Sequence, residues 1–161
     1  MMISVLGGNT APTEVLAAAE TLGRELARRG CTIVCGGRGG VMEAVCRGAR
    51  AEGGHTIGIL PTEDLGDCNA YVEFPILTGL GYARNAIVVL SGEAVVAVDG
   101  SYGTLSEIAY ALAYGKPVVG LHTWHFSNES NDDAAIIRAT DAADAAEKAI
   151  AAARARRTVR S

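Results

Sequence analysis

The sequence predicts an α/β fold, a single doubly wound domain whose mainly parallel sheet has six or seven strands. Short β-rich apolar runs alternate with helical segments along the whole length, the pattern of a parallel sheet covered on both faces. The run Glu93 to Val98 is the most clearly buried of them. At 161 residues a folded chain buries roughly 70% of its unfolded surface, enough for a core without metal or disulfide staples.

The elements follow in order. Ile3 to Leu6 is the first strand, and after Gly7 and Gly8 a helix starts near Pro12, with Val15, Leu16, Ala19, Leu22 and Leu26 at helical spacing until Gly30. Cys31 to Cys35 is the second strand, followed by Gly36-Gly37-Arg38-Gly39-Gly40 and a helix from Val41 to Glu52. His55 to Leu60 is the third strand, and residues 61 to 70 are a polar loop. Tyr71 to Ile76 reads as a short strand and Leu80 to Leu90 as a helix. Glu93 to Val98 runs into Asp99-Gly100-Ser101-Tyr102-Gly103, then a helix from Thr104 to Tyr114 closes at Gly115. Pro117 to Leu121 is another strand, residues 122 to 133 are polar, and a weak strand near Ile136 precedes a closing helix. No linker or repeat divides the chain, so residues 1–161 are one domain, with an Arg-rich end (Arg154, Arg156, Arg157, Arg160) that complements a helix C-terminus or frays.

Composition narrows the function. The formal charge is −4 and the pI about 5.3, which argues against nucleic acid as the main partner. No apolar run reaches the roughly 18 residues of a membrane span, and the N-terminus lacks a basic region before a hydrophobic stretch. The expectation is a cytoplasmic protein with no membrane partner. Cys31, Cys35, Cys46 and Cys68 lack paired metal-site spacing and read as reduced thiols in a reducing compartment. The lysines are Lys116 and Lys148 alone, one just before a proline and one in an exposed helix, which disfavours lysine-based covalent chemistry.

Two glycine-rich turns, at residues 36 to 40 and 100 to 103, each follow an apolar strand and open a helix. There the N–H groups of the first helical turn are unpaired and the dipole is positive, and glycines let a phosphate approach. Two such turns on one sheet edge, near the point where strand order reverses, describe a nucleotide-sized crevice. Thr104-Leu105-Ser106-Glu107 also has the pattern of a capping box, in which Glu107 satisfies the Thr104 N–H. Arg84 stands at the start of its helix, where a cation is unfavourable unless an anion is near. Ser101, in Asp-Gly-Ser-Tyr-Gly with His122 and His125 downstream, has a weaker likeness to a nucleophile elbow. The two histidines are read as solvated loop residues, and no metal site is expected.

The same residues carry a resemblance. Gly36-Gly37-Arg38-Gly39-Gly40-Val41-Met42, with Gly48-Ala49 and Gly58-Ile59-Leu60-Pro61, is similar to the first signature of the LONELY GUY-like family, also called lysine decarboxylase-like. Asp99 to Glu107 matches its second signature, P-G-G-x-G-T-x-x-E, in register. Thr78 to Asn85 with Ser106-Glu107-Ile108-Ala109 resembles the short subfamily that includes the algal molybdenum-cofactor carrier.

The resemblance covers roughly residues 2 to 150 and implies a Rossmann-like homodimer or higher homo-oligomer with a small phosphate-bearing ligand at the glycine turns. Carried over, Arg84 and Glu107 are the catalytic pair of a hydrolytic branch that cleaves the N-glycosidic bond of nucleoside 5′-monophosphates. The expected ligand-binding positions are Gly7, Gly8, Gly36, Gly37, Arg38, Gly39, Gly40, Met42, Asn85, Asp99, Gly100, Ser101, Tyr102, Gly103 and Thr104. No cofactor is required; the bound species is an AMP-like nucleotide or a molybdopterin-type ligand. Asp99 stands where the family has proline and Ser101 where it has glycine. A carboxylate close to a bound phosphate repels it, so the expectation is binding with weak or no turnover, the alternative being a phosphoribohydrolase.

Overall fold

In the computed structural model, which describes residues 1–126 and 135–160, one sheet of seven parallel strands runs in the order β4-β3-β2-β1-β5-β6-β7. The strands are β1 (Met2–Gly7), β2 (Thr32–Cys35), β3 (Thr56–Leu60), β4 (Phe74–Leu77), β5 (Ala94–Val98), β6 (Val118–Leu121) and β7 (Ile136–Arg138). The helices are α1 (Thr13–Arg28), α2 (Val41–Ala51), α3 (Asn85–Ser91), α4 (Tyr102–Ala113) and α5 (Ala142–Arg160). The doubly wound reading holds. No helix among the described residues is long and apolar enough to cross a membrane.

Side chains alternate across each strand, so the sheet builds two cores. Ile3 and Val5 of β1 and Val96 and Val98 of β5 pack under α1, α2 and α5. Leu6, Val95 and Ala97 face α3 and α4, with Val88, Val89, Ile108 and Ala111. Ser4 points into this second layer, and its hydroxyl is satisfied by donating to the Val88 carbonyl at 2.6 Å. Helices α1 and α2 meet so closely that a Cβ on Gly48 would overlap the Glu20 carbonyl oxygen.

Several elements differ from expectation. The helix expected over 80–90 is divided into a 3-10 turn, Gly81–Arg84, and the shorter α3, a break that lets Arg84 turn inward. The loop 61–70 contains a 3-10 turn at Leu65–Asp67, begun by the Asp64 carboxylate accepting from Gly66 N–H at 2.8 Å. Strand β4 is shifted to Phe74–Leu77 and fully exposed, an edge on which Pro75 offers no N–H. Helix α5 continues through the Arg-rich end, where Arg157 pairs with Glu93 and Arg156 Nε donates to the Gly115 carbonyl at 3.0 Å. Part of the polar segment expected at 122–133, from residue 127 on, lies outside the described residues.

Candidate functional site

Strand order reverses between β1, which continues to β2, and β5, which continues the other way. The loops leaving the carboxyl ends of β1, β2 and β5 therefore part at this point and leave a crevice. Its volume is about 240 Å³. Gly7, Gly8, Gly36, Arg38, Met42, Arg84, Asn85, Ser101, Gly103, Thr104 and Glu107 line it, as do Asn9, Pro61, Gly81 and Tyr82. Of the positions expected from sequence, Gly37, Gly39, Gly40, Asp99, Gly100 and Tyr102 are not in the lining. Val5, Leu6, Asn9, Pro61, Gly81 and Tyr82 also line it and were not among the expected positions, although Asn9 directly follows the Gly7-Gly8 exit from β1 and Gly81 and Tyr82 lie just before Arg84.

The first turn is held from several sides. Gly37 N–H donates to Cys35 Sγ at 3.4 Å, Asn69 N–H to the Gly37 carbonyl at 2.9 Å, and Asn69 Nδ2 to the Arg38 carbonyl at 2.8 Å. Gly39 N–H donates to Asn9 Oδ1 at 3.0 Å, which ties this turn to the exit from β1. A Cβ on Gly36 would lie 2.6 Å from Arg84 Nη2 and 2.7 Å from Met42 Sδ. Glycine there is what lets the guanidinium lie against the backbone.

The second turn departs from the family pattern in its backbone. Asp99 has φ 50°, its N–H donates to the Leu121 carbonyl at 3.1 Å, and its carbonyl accepts from Thr123 Oγ1 at 2.6 Å. Proline, with φ fixed near −65° and no N–H, fits neither this φ nor the bond to Leu121. Ser101 precedes α4 with a relaxed extended backbone (φ −98°, ψ −168°), not the strained turn of a nucleophile elbow, and makes no side-chain cap.

The capping box expected at Thr104 and Glu107 does not form. Helix α4 begins two residues earlier, at Tyr102, and Glu107 turns inward toward Arg84.

Arg84 and Glu107 come together from different elements, with Nη1 3.6 Å from Oε1. They are 8% and 7% exposed. Arg84 also donates to Asn85 Oδ1 and, from Nη2, to the Gly36 carbonyl at 3.3 Å. Among the described residues its Nε is buried with no hydrogen-bond partner. Asn85 Nδ2 continues to Ser106 Oγ at 3.3 Å, and Ser106 Oγ donates to the Gly103 carbonyl at 2.7 Å, so one hydrogen-bonded chain joins the arginine to the second turn.

Burial pushes the Glu107 carboxyl up to about 7, against the opposing pull of Arg84. Burial also lowers the Arg84 pKa, while Glu107 raises it. Arg38 adds a second cation at the rim. Near neutral pH the crevice thus carries two guanidiniums and at most one carboxylate, an excess of positive charge in a chain of net charge −4. The N-termini of α2 and α4 open beside it, and helix N-termini favour negative charge.

Among the described residues no three His, Cys, Asp or Glu side chains converge as a metal site. Beside the crevice, sharing Tyr82 and Gly103 with it, lies a second depression that includes Tyr102, Ser106 and Tyr110. Tyr82 and Tyr102 are 84% and 82% exposed.

The profile of the SLOG cluster4 family matches residues 1–150, which include both glycine turns and the Arg84–Glu107 pair. The chain belongs to this family. A cytokinin riboside 5′-monophosphate phosphoribohydrolase of Mycobacterium tuberculosis is 34% identical over 125 residues, 70% of this chain and 66% of that one. The aligned region spans 47% of the length of a probable rice enzyme of the same name. Among solved structures, the molybdenum cofactor binding protein of Rippkaea orientalis aligns with a TM-score of 0.85 at 38% identity, over 93% of this chain and 95% of that one. The Moco carrier protein of Chlamydomonas reinhardtii aligns with a TM-score of 0.82 at 38% identity, over 96% and 98%. This member of the SLOG cluster4 family thus has the Rossmann-like fold of the LONELY GUY-like proteins and of the Moco carriers, as its signatures imply.

Proposed function

We propose that this protein binds a phosphate-bearing heterocyclic ligand, a nucleoside monophosphate or a molybdopterin-type cofactor, and holds it with little or no turnover. The observation that supports the reading is the cationic imbalance of the crevice, above all the buried Nε of Arg84, which has no hydrogen-bond partner among the described residues. An orphaned buried donor on a charged group costs free energy unless something accepts from it. A phosphate oxygen supplies that acceptor, with backbone N–H groups of the first turn of α4, at Gly103 and Thr104, supplying further donors.

At about 240 Å³ the crevice is smaller than the ~300 Å³ at which typical small-molecule pockets begin. It takes the phosphate and adjoining sugar or pyran, and the planar ring extends over the exposed faces of Tyr82 and Tyr102, where stacking is favourable. Either ligand fits this division, because both join a phosphate to a flat heterocycle. The likeness to a cofactor-binding protein over nearly the whole chain favours the carrier reading.

Weak turnover follows from Glu107. Cleaving an N-glycosidic bond develops positive charge on the ribose, which an ionised carboxylate stabilises. With its pKa at about 7, Glu107 is about half protonated at neutral pH, and a phosphate dianion nearby holds the proton more firmly.

The same pair supports a second reading, phosphoribohydrolase: an arginine orients the monophosphate and Glu107, when ionised, stabilises the oxocarbenium or directs water. Mass spectrometry of the small molecule that co-purifies with the native protein, with titration of AMP and related monophosphates, tests the first reading. It expects a recovered phosphate ester and saturable binding without release of base. Base release that disappears in Glu107→Ala establishes the second, and no binding by any phosphate ester overturns both.

A further inference from the structure

The crevice rests on a feature that its ligand chemistry does not use. Cys35, the last residue of β2, and Cys46, on the inner face of α2, are both fully buried, and their sulfurs lie 3.6 Å apart. The strand, the glycine turn and the helix form a hairpin-like unit that brings these positions together across the turn itself. Cys35 Sγ also accepts the Gly37 N–H, and the next residue, Gly36, accepts from Arg84. The sulfur is therefore part of the scaffold that fixes the first turn.

We propose that Cys35 and Cys46 are a site of reversible oxidative modification, closing to a disulfide that pins β2 to α2 and loosens the Gly36–Gly40 turn. Closure needs the sulfurs to move from 3.6 Å to about 2.05 Å. That displacement is small, and it converts Cys35 Sγ from a thiolate into a disulfide sulfur, a weaker acceptor for the Gly37 N–H. Reactivity is divided between the two thiols: the contact with Cys46, and then the Gly37 N–H that donates to its sulfur, favour the Cys35 thiolate against its burial, whereas the contact with Cys35 and burial hold Cys46 above the ordinary thiol range. Cys35 is the attacking sulfur.

The oxidant is a hydroperoxide such as hydrogen peroxide. The Cys35 thiolate takes one peroxide oxygen, the O–O bond breaks, and the departing hydroxide leaves as water once protonated. Cys46 then gives up its proton and displaces a second water from the Cys35 sulfenic acid. Two thiols lose two electrons, and one peroxide is reduced to two waters. A cellular dithiol reverses the step. Cytosolic disulfides of this kind are transient and redox-sensing, not structural.

The test uses the wild-type protein. After brief exposure to hydrogen peroxide, denaturation and alkylation, the expected product has lost about 2 Da and two alkylatable thiols. Trypsin cuts after Arg29, Arg38 and Arg47, so the link joins peptide 30–38 to peptide 39–47, and fragment ions place it at Cys35, not Cys31. Amide exchange across residues 36–40 is expected to quicken by about tenfold and to return with dithiothreitol, and the cross-link is expected to persist in Cys68→Ser.

No link between these peptides, a link through Cys68 or Cys31, or a Cys35–Cys46 link with unchanged exchange over 36–40 overturns the proposal. These readouts need no ligand. If the reduced protein fails to bind a phosphate ester, the proposed function falls while the cross-link and exchange data still decide this inference.

Discussion

Arg84 Nη1 lies 3.6 Å from Glu107 Oε1 inside the sheet edge, with both side chains almost wholly removed from solvent. A salt bridge this buried is not evidence of stability, since desolvating two charges can cost more than their attraction returns. Here the balance falls against ionisation of Glu107, because burial outweighs the nearby guanidinium. Under the proposed function the pair is an anion site kept in readiness.

That protonation makes stability depend on pH. The folded-state pKa of about 7 lies above the ordinary value of 4.5, so between these limits the folded protein holds a proton that the unfolded chain has released. The contribution is complete below pH about 4.5 and is lost as pH rises through about 7, by about 3 kcal/mol at most. Urea unfolding from pH 4.5 to 8 is expected to show this fall in the wild type and a flatter curve in Glu107→Gln; parallel curves contradict it.

Arg38 is exposed at the rim of the crevice, so the proposed function gives it a contact with the ligand and no part in the fold. Arg38→Ala is expected to weaken binding of a nucleoside monophosphate by about 3- to 10-fold, the loss of one partly screened charge-assisted contact. Calorimetric titration should show a reduced salt dependence as well, with the melting temperature unchanged within error. An unaltered affinity removes Arg38 from the site.

At Asp99 the left-handed backbone, φ 50°, costs a residue with a Cβ about 1–2 kcal/mol. Asp99→Gly relieves that strain while raising unfolded-chain entropy, so its stability is expected to stay within about 1 kcal/mol of wild type. Asp99→Pro, which restores the family residue, is expected to destabilise by about 3 kcal/mol or more through the wrong φ and the lost bond to Leu121. Chemical denaturation of the two variants checks this, and a stable proline variant would mean that the turn relaxes to another shape.

The contact of α1 with α2 predicts a further asymmetry. Gly48→Ala places a methyl group into the Glu20 carbonyl, and the helices must separate. The expected cost is about 1–3 kcal/mol, although alanine is the better helix former by about 1 kcal/mol. An increase in the melting temperature would show that the two helices are free to shift.

How far the sequence can be read differs from element to element. The buried strands were legible because parallel strands covered on both faces are apolar throughout, as Ala94–Val98 is. The glycine turns were legible because turn chemistry is local. The beginning of α4 was not: Thr104 and Glu107 satisfy the local rule for a cap, but the pull of Arg84 and the interior decides where Glu107 goes. Strand β4 was displaced for a related reason, since an exposed edge, Phe74–Leu77, lacks the burial contrast that marks a strand's limits.

The amino-acid order by itself determined the alternation of strands and helices, the doubly wound class and the two places where a backbone free of side chains can meet an anion. Each of these depends on neighbours within a few residues or on a periodic pattern. Only the tertiary structure decided that the Glu107 carboxyl is pushed up to about 7, that Arg84 keeps a donor unmatched among the described residues, and that Cys35 faces Cys46. Desolvation and sulfur–sulfur distance depend on groups brought from remote segments, and no local spacing encodes them.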